Sequence, residues 1–385
     1  MIRNLFYTVR RRLVRMDVMM LFCVLLLLLI GLQTIYSTGQ EAGGSFARHW
    51  LRQTAWAGVG MFLFLGVASC DYRWLGRISW LFYFIGLGLL VLVLFFGLTV
   101  NHSKSWLPLL GVTVQPAELA KPATLLIFAW VASRPGLRPS SFFPLLPLGA
   151  VFGLPVFLIF LQPDWGTALV FAGMVLPILF LGGLPWRMIL MVILALALTT
   201  PLAYKYVLKQ HQRDRIQTFV NPSRDISDTG WNAHQSILAV GSGGLTGKGF
   251  MKGTQHVLGF LPRAVAPTDF VFSVIGEENG FLGSAAVVAA FLALIGCCLR
   301  TAWRAVDEFG AYLALGVAGL IFTHAYINIG MNIQAAPIIG IPLPLVSYGG
   351  SFLLCCLISL GLVQAVHIQY RLAADRTRET LLAPT

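Results

Sequence analysis

Charge is scarce in this 385-residue chain. Asp, Glu, Lys and Arg make up 11% of it, where soluble domains carry about 25%. With 57% hydrophobic residues and a mean hydropathy of +0.78, that deficit excludes a water-soluble enzyme. Acidic residues are the scarcer sign, 15 against 27 basic. A surplus of +12 on a polar surface would suggest nucleic acid as a partner. No such surface exists here, so none is expected and the surplus reads as membrane topology. Metal motifs are missing too: the six cysteines contain no CxxC, the seven histidines show no ligand spacing, and no metal site is assigned. A nucleotide loop also fails. The run Gly241–Gly249 has Ser242 and Gly249 where a P-loop needs Gly and Ser or Thr, and Thr246 where GxGxxG needs Gly.

What is abundant is long apolar runs, about ten of them near the roughly 20 residues that cross a bilayer as a helix. They are Val18–Tyr36, Thr54–Cys70, Ile78–Val100, Pro116–Ser133, Phe143–Leu161, Gly166–Leu184, Met188–Tyr206, Asp269–Leu299, Ala311–Ile333 and Gly349–Tyr370. The expected fold is therefore an all-α polytopic membrane protein, one integral domain over residues 1–385. The eighth run is too long for one straight span. With the N-terminus in the cytoplasm, Arg73, Arg77, Arg134, Arg138, Arg187, Arg300, Arg304, Arg371, Arg376 and Arg378 fall on the same side as the basic N-terminal stretch. The short loops opposite hold only Arg48, Arg52 and Lys104, so both termini are expected in the cytoplasm of a multi-pass inner-membrane protein. One connection is long, about residues 207–268 between spans 7 and 8 on the outer side, and loops of that length are usually functional or disordered.

Ionisable groups inside spans are costly, so each is a functional candidate. Glu118 and Lys121 stand three apart on one helical face, as a neutralising pair that either offsets its own insertion cost or shapes a cavity. Asp269 sits where the long loop re-enters the membrane. A carboxylate there suits a helix N-cap, and the helix dipole is expected to lower its pKa. Glu277 and Glu278 follow roughly 12 Å further along that helix. The glycine run beside Lys248 and Lys252 either wraps an anion such as a phosphate or forms a flexible turn. Prolines and glycines in Pro337–Gly350 exclude regular helix, and irregular backbone at membrane depth is tolerated only where it is buried or lines a polar cavity.

Together, Gln115-Pro-Ala-Glu-Leu-Ala-Lys121, Gln162-Pro-Asp-Trp-Gly-Thr167, Gln235-Ser236, the Gly241–Gly249 run, Thr268-Asp-Phe-Val-Phe-Ser-Val-Ile-Gly-Glu-Glu278 and Ile341-Pro-Leu-Pro-Leu-Val-Ser347-Tyr-Gly-Gly350 resemble the SEDS family, and within it the elongation-specific branch. The resemblance covers nearly the whole chain in one order. It implies a ten-span glycosyltransferase that polymerises lipid II, the undecaprenyl-pyrophosphate disaccharide-peptide, into peptidoglycan outside the bacterial cytoplasmic membrane. Expected partners are a class B penicillin-binding protein transpeptidase, other membrane proteins of the elongation complex, and membrane lipid. The family's catalytic aspartate matches Asp269, its intramembrane pair Glu118 and Lys121, and its tryptophan Trp106. Three positions depart from the family pattern: Ser105 stands where a basic residue is common, Arg263 where an acidic one is, and Pro267 where His is.

For such a reaction, Asp269 is the expected base on the acceptor hydroxyl in a single inverting displacement. Lys248, Lys252, Arg215 and the glycine amides are candidates to hold the leaving pyrophosphate, with Lys104 and Arg263 as cations displaced from the family's usual places. A divalent cation could share that task, although the sequence shows no carboxylate cage for one. Two other classes stay open at this level: a flippase for the same lipid, kept alive by Glu277 and Glu278, and a non-catalytic scaffold for the transpeptidase.

Overall fold

Apolar segments with no water to satisfy their backbones must close their hydrogen bonds internally, and helices do so. The computed structural model describes residues 12–42, 44, 46–100, 103–109, 112–140, 142–188, 210–220 and 229–382, with seven positions between 190 and 206. Its long helices are α1 (Val18–Ala42), α2 (His49–Ser69), α4 (Ser79–Phe96), α5 (Pro116–Ala132), α6 (Phe142–Leu161), α7 (Trp165–Leu181), α11 (Val271–Arg304), α12 (Glu308–Asn332) and α13 (Gly350–Leu382). Among the described residues, seven helices are long and apolar enough to cross a membrane, and α7 is apolar but shorter. The expected polytopic helical fold is therefore observed. The seventh predicted span, Met188–Tyr206, lies largely outside the described residues.

Short elements fill the connections. They are α3 (Tyr72–Arg77), α8 (Gln210–Val220), α9 (Thr229–Ser242) and α10 (Thr254–Val257), with an antiparallel three-stranded sheet of β1 (Leu98–Val100), β2 (Ser103–Leu109) and β3 (Val112–Val114). This sheet is an addition to the helical fold. The third apolar run ends as strand and not as helix because Gly97, extended at ψ 147, caps α4. Leu98 then pairs with Trp106 on β2.

The bundle centre belongs to α12 and α13, whose apolar windows are 78% and 89% buried, against 22% in α2 and α6. Small residues let the centre close up. A methyl group on Gly319 of α12 would lie 2.3 Å from the Gly173 carbonyl of α7, so these helices touch backbone to backbone. All six cysteines are free, and all but Cys70 are buried, which fits packing residues.

Ion pairs tie the span ends at one face of the bundle: Arg15 with Asp375 at 2.7 Å, Arg73 with Asp307 at 2.7 Å, Arg138 with Glu308, and Arg300 with Asp17. These residues come from the ends that the basic-residue count assigns to a single side. The contacts bring those ends together as the alternation of spans requires.

The eighth run resolves its excess length by breaking. Gly280 interrupts α11 at φ 66, ψ −161, leaving a short half-helix, Val271–Asn279, before the long one. The broken turn is filled by the glycine run. Lys248 N–H donates to Glu277 O at 3.0 Å, Gly249 N–H to Glu278 O at 2.9 Å, and Phe281 N–H to Gly244 O at 2.8 Å. Only glycine fits there: a methyl on Gly247, itself at φ 82, would lie 2.0 Å from the Glu278 carbonyl. The amides that the sequence offered to a phosphate are thus partly spent on α11, because a helix broken inside a bundle must find partners for its freed backbone groups.

Candidate functional site

Asp269 closes a tight turn, Val265–Phe270, in which its N–H donates to Val265 O at 3.0 Å. The helix behind it begins at Val271 with Phe270 at its cap and no side-chain cap bond. The expected N-cap role is therefore not taken, and with it goes the expected fall in pKa. Burial instead pushes the half-buried Asp269 carboxyl up to about 6, opposed by the positive charge of Arg215 and by a hydrogen bond from Thr268. A carboxylate with that pKa is mostly ionised at neutral pH yet basic enough to take a proton.

The backbone around Asp269 is pinned from several directions. Asn328 and Asn332 of α12 each donate a side-chain N–H to Asp269 O at 3.0 Å. Ser347 donates its hydroxyl to Thr268 O at 2.5 Å, and Tyr348 N–H donates to Pro267 O at 2.9 Å. Ser347 Oγ also accepts Leu343 N–H at 2.8 Å, so the irregular stretch before α13 is folded around this one serine. Gln53 of α2 holds its far end, donating to Ser347 O and accepting from Gly349 N–H, both at 3.1 Å. Gly340 is close enough that a methyl on it would stand 3.5 Å from Asp269 Oδ2. Beneath the turn, Ser236 and Ser273 share a hydrogen bond of 2.5 Å, and Ser273 N–H donates to Asn332 Oδ1 at 3.1 Å. Gln235 is buried beside Ser236 on α9.

Arg215 on α8 is the predicted cation that this arrangement brings to Asp269. It donates to Ile339 O at 3.1 Å and lines a small cavity with Thr218, Gln334 and Ile338. The other predicted cations divide. Lys104 turns away and donates to Leu94 O and Phe95 O at 2.8 and 2.9 Å, capping α4, where a positive charge suits the helix C-terminus. Lys248 is drawn into an ion pair with Glu277 at 2.5 Å. Lys252 and Arg263 are exposed. Trp106 is half-buried on β2, and Ser105 beside it is buried. Gln115 precedes α5 and donates to Asp164 Oδ2 at 3.1 Å.

Glu118 and Lys121 form the expected pair, with Lys121 Nζ at 2.8 and 2.9 Å from the two carboxylate oxygens. Both are fully enclosed, at 3% and 0% exposure. Glu277 and Glu278 are buried as well. Glu277 accepts from Lys248, from Thr254 N–H at 2.7 Å and from Gln255 N–H at 3.1 Å, while Glu278 accepts from Met251 N–H at 3.2 Å and from Ser37. His256 stands between them, its Nδ1 3.6 Å from Glu277 and its Nε2 3.3 Å from Glu278. The two carboxylates that kept a transporter open are thus engaged by the long loop and by α1. No group of three or more candidate metal ligands occurs among the described residues.

The sequence reading missed His256, Ser273, His324, Asn328 and Asn332. A signal existed for the last three. They are polar residues four apart within an apolar run, and such spacing puts them near one helical face.

Residues 16–372 match a family of cell cycle proteins described as FTSW_RODA_SPOVE. The chain is 35% identical over 354 residues to the peptidoglycan glycosyltransferase MrdB of Escherichia coli (strain K12), covering 92% of this chain and 94% of that protein. A chain in a solved peptidoglycan synthase complex that coordinates polymerization and crosslinking is similar with a TM-score of 0.79 at 30% identity, covering 91% of this chain and 97% of that one. The crystal structure of the rod shape determining protein RodA of Thermus thermophilus is similar with a TM-score of 0.66 at 29% identity, over 91% and 96% of the two chains.

Proposed function

This chain belongs to the FtsW, RodA and SpoVE family of cell cycle proteins, and from that premise we propose that it extends glycan strands from lipid II with Asp269 as general base. It is a peptidoglycan glycosyltransferase of the elongation type, in keeping with relatives named for that activity, and a multi-pass membrane protein. The observation that carries the finer reading is the Asp269 carboxylate. It is half-buried, held by its own backbone to α12, and set beside Arg215.

The 4-hydroxyl of the acceptor sugar gives its proton to Asp269 as its oxygen bonds to the anomeric carbon of the donor. The bond from that carbon to the pyrophosphate oxygen breaks, and undecaprenyl pyrophosphate leaves with the electron pair. Inversion from an α donor to a β product requires one displacement, with base and leaving group on opposite faces. Arg215, free to add a contact to phosphate oxygens beyond its bond to Ile339 O, offsets the charge that develops on the leaving group. The glycan grows at the bundle end that carries Asp269, opposite the end tied by Arg15, Arg73, Arg138 and Arg300. Those basic ends belong at the cytoplasmic side of the inner membrane, and both termini with them. The polymerization and crosslinking complex to which the fold is similar supports a class B penicillin-binding protein transpeptidase as partner.

The test uses purified full-length chain, with its transpeptidase partner, on labelled lipid II. Asp269→Asn keeps the backbone bonds to Asn328 and Asn332 and removes the proton acceptor, so kcat is expected to fall about 100- to 10,000-fold with an unchanged melting temperature. For the unsubstituted chain, kcat falls as pH drops through about 6, because the base must be ionised to act. Glycan ladders of near-normal intensity from Asp269→Asn overturn the assignment.

A further inference from the structure

His324, Asn328 and Asn332 follow one another at four-residue intervals on α12, and all three are buried. The two asparagines bond the backbone of Asp269 directly. His324 does not reach it, and neither of its nitrogens is idle: Nδ1 lies 3.1 Å from Pro342 O, and Nε2 lies 3.1 Å from Lys121 Nζ. A carbonyl can only accept and an ammonium can only donate, so a neutral imidazole between them must carry its proton on Nδ1. The hydrogen bonds then run in one direction. Lys121 donates to both oxygens of Glu118 and to His324, and His324 donates to Pro342.

Pro342 belongs to the stretch that borders the reacting carboxylate. Its neighbour Ile341 accepts Asn328 Nδ2–H at 2.7 Å, and Gly340 faces Asp269 Oδ2. Irregular backbone has no ladder to fix it, so its position depends on such side-chain bonds. The imidazole is itself held, with its ring centroid 4.8 Å from that of Phe352.

We propose that His324 is a positioning residue for glycosyl transfer: through the Pro342 carbonyl it fixes the Gly340–Pro342 stretch against Asp269, and the Glu118–Lys121 pair orients its imidazole. The inference rests on Asp269 being the base. A role confined to supplying the third acceptor that the buried Lys121 ammonium needs is the opposite outcome of the test.

The two roles are separable with side-chain amides. His324→Asn carries an N–H donor near the place of Nδ1 and can still bond Pro342 O, but it offers nothing to Lys121. His324→Gln reaches toward Lys121 with its carbonyl and gives up Pro342. The measurement is kcat and KM on labelled lipid II for full-length chain with its transpeptidase partner, beside a thermal melt of each variant. A displacement of about 1 Å at a reacting group costs on the order of 100-fold. His324→Gln should therefore lose kcat by tens- to a hundredfold with KM nearly unchanged, while His324→Asn stays within about threefold of the unsubstituted chain. Equal or better kcat in His324→Gln than in His324→Asn overturns the proposal, as does a loss of kcat that only tracks the folded fraction. Inactivity of the unsubstituted chain would overturn both this inference and the polymerase reading; activity there with the wrong order of variants overturns this inference alone.

Discussion

Replacing His256 with Gln tests how the long loop is anchored to the broken helix. The imidazole is buried between Glu277 and Glu278 of α11, with Lys248 on the far side of Glu277 and Ser37 of α1 on Glu278. Burial by itself would lower its pKa, but the two carboxylates of Glu277 and Glu278 within 3.6 Å outweigh that and raise it from 6.5 to about 9. At about 1.4 kcal/mol per pH unit, a rise of that size is linked to about 3 kcal/mol of stability. The native pKa lies above the unfolded one, so this contribution is complete below pH 6.5 and is lost as pH rises through about 9. Near pH 6, His256→Gln should melt on the order of 5 °C below the unsubstituted chain. The gap should close by about pH 10, because the imidazolium is then gone from both. Thermal unfolding of the full chain in detergent, followed by tryptophan fluorescence from pH 6 to 10, reads it directly. A gap that stays constant over that range would refute the reasoning.

Two further substitutions probe the buried framework. Lys121→Met strands Glu118 and removes the donor to His324, so it should cost about 3 to 5 kcal/mol; adding Glu118→Gln should restore the melting temperature but not glycan synthesis, and full recovery of synthesis would make the pair purely structural. Gly280→Ala would set a methyl 2.3 Å from Gly247 N at a backbone φ of 66, so a loss of roughly 2 to 4 kcal/mol is expected, with the 243–249 segment newly open to proteolysis; an unchanged melt would mean that the helix break is not sealed by the glycine run.

Sequence alone determined the features that depend on local composition. Apolar runs near the bilayer thickness mark the helices: nine of the ten predicted runs correspond to described helices within a few residues at most ends, and seven of those helices are long and apolar enough to cross a membrane. The Glu118–Lys121 pair was legible because i,i+3 neighbours on a helix must meet. The asymmetry of arginines foretold which span ends share a face, and the ion pairs of Asp17, Asp307, Glu308 and Asp375 fall there. Tertiary structure decided whatever depends on residues far apart in the chain. Lys104 and Lys248 are basic residues close in sequence to the motifs, yet one caps α4 and the other neutralises Glu277, because a cation goes to the nearest unsatisfied acceptor in space. Asp269 looked like a helix cap with a lowered pKa. Its enclosure by the 337–349 stretch and α12 raises that pKa instead, and desolvation is a property of the packed molecule that no local pattern encodes.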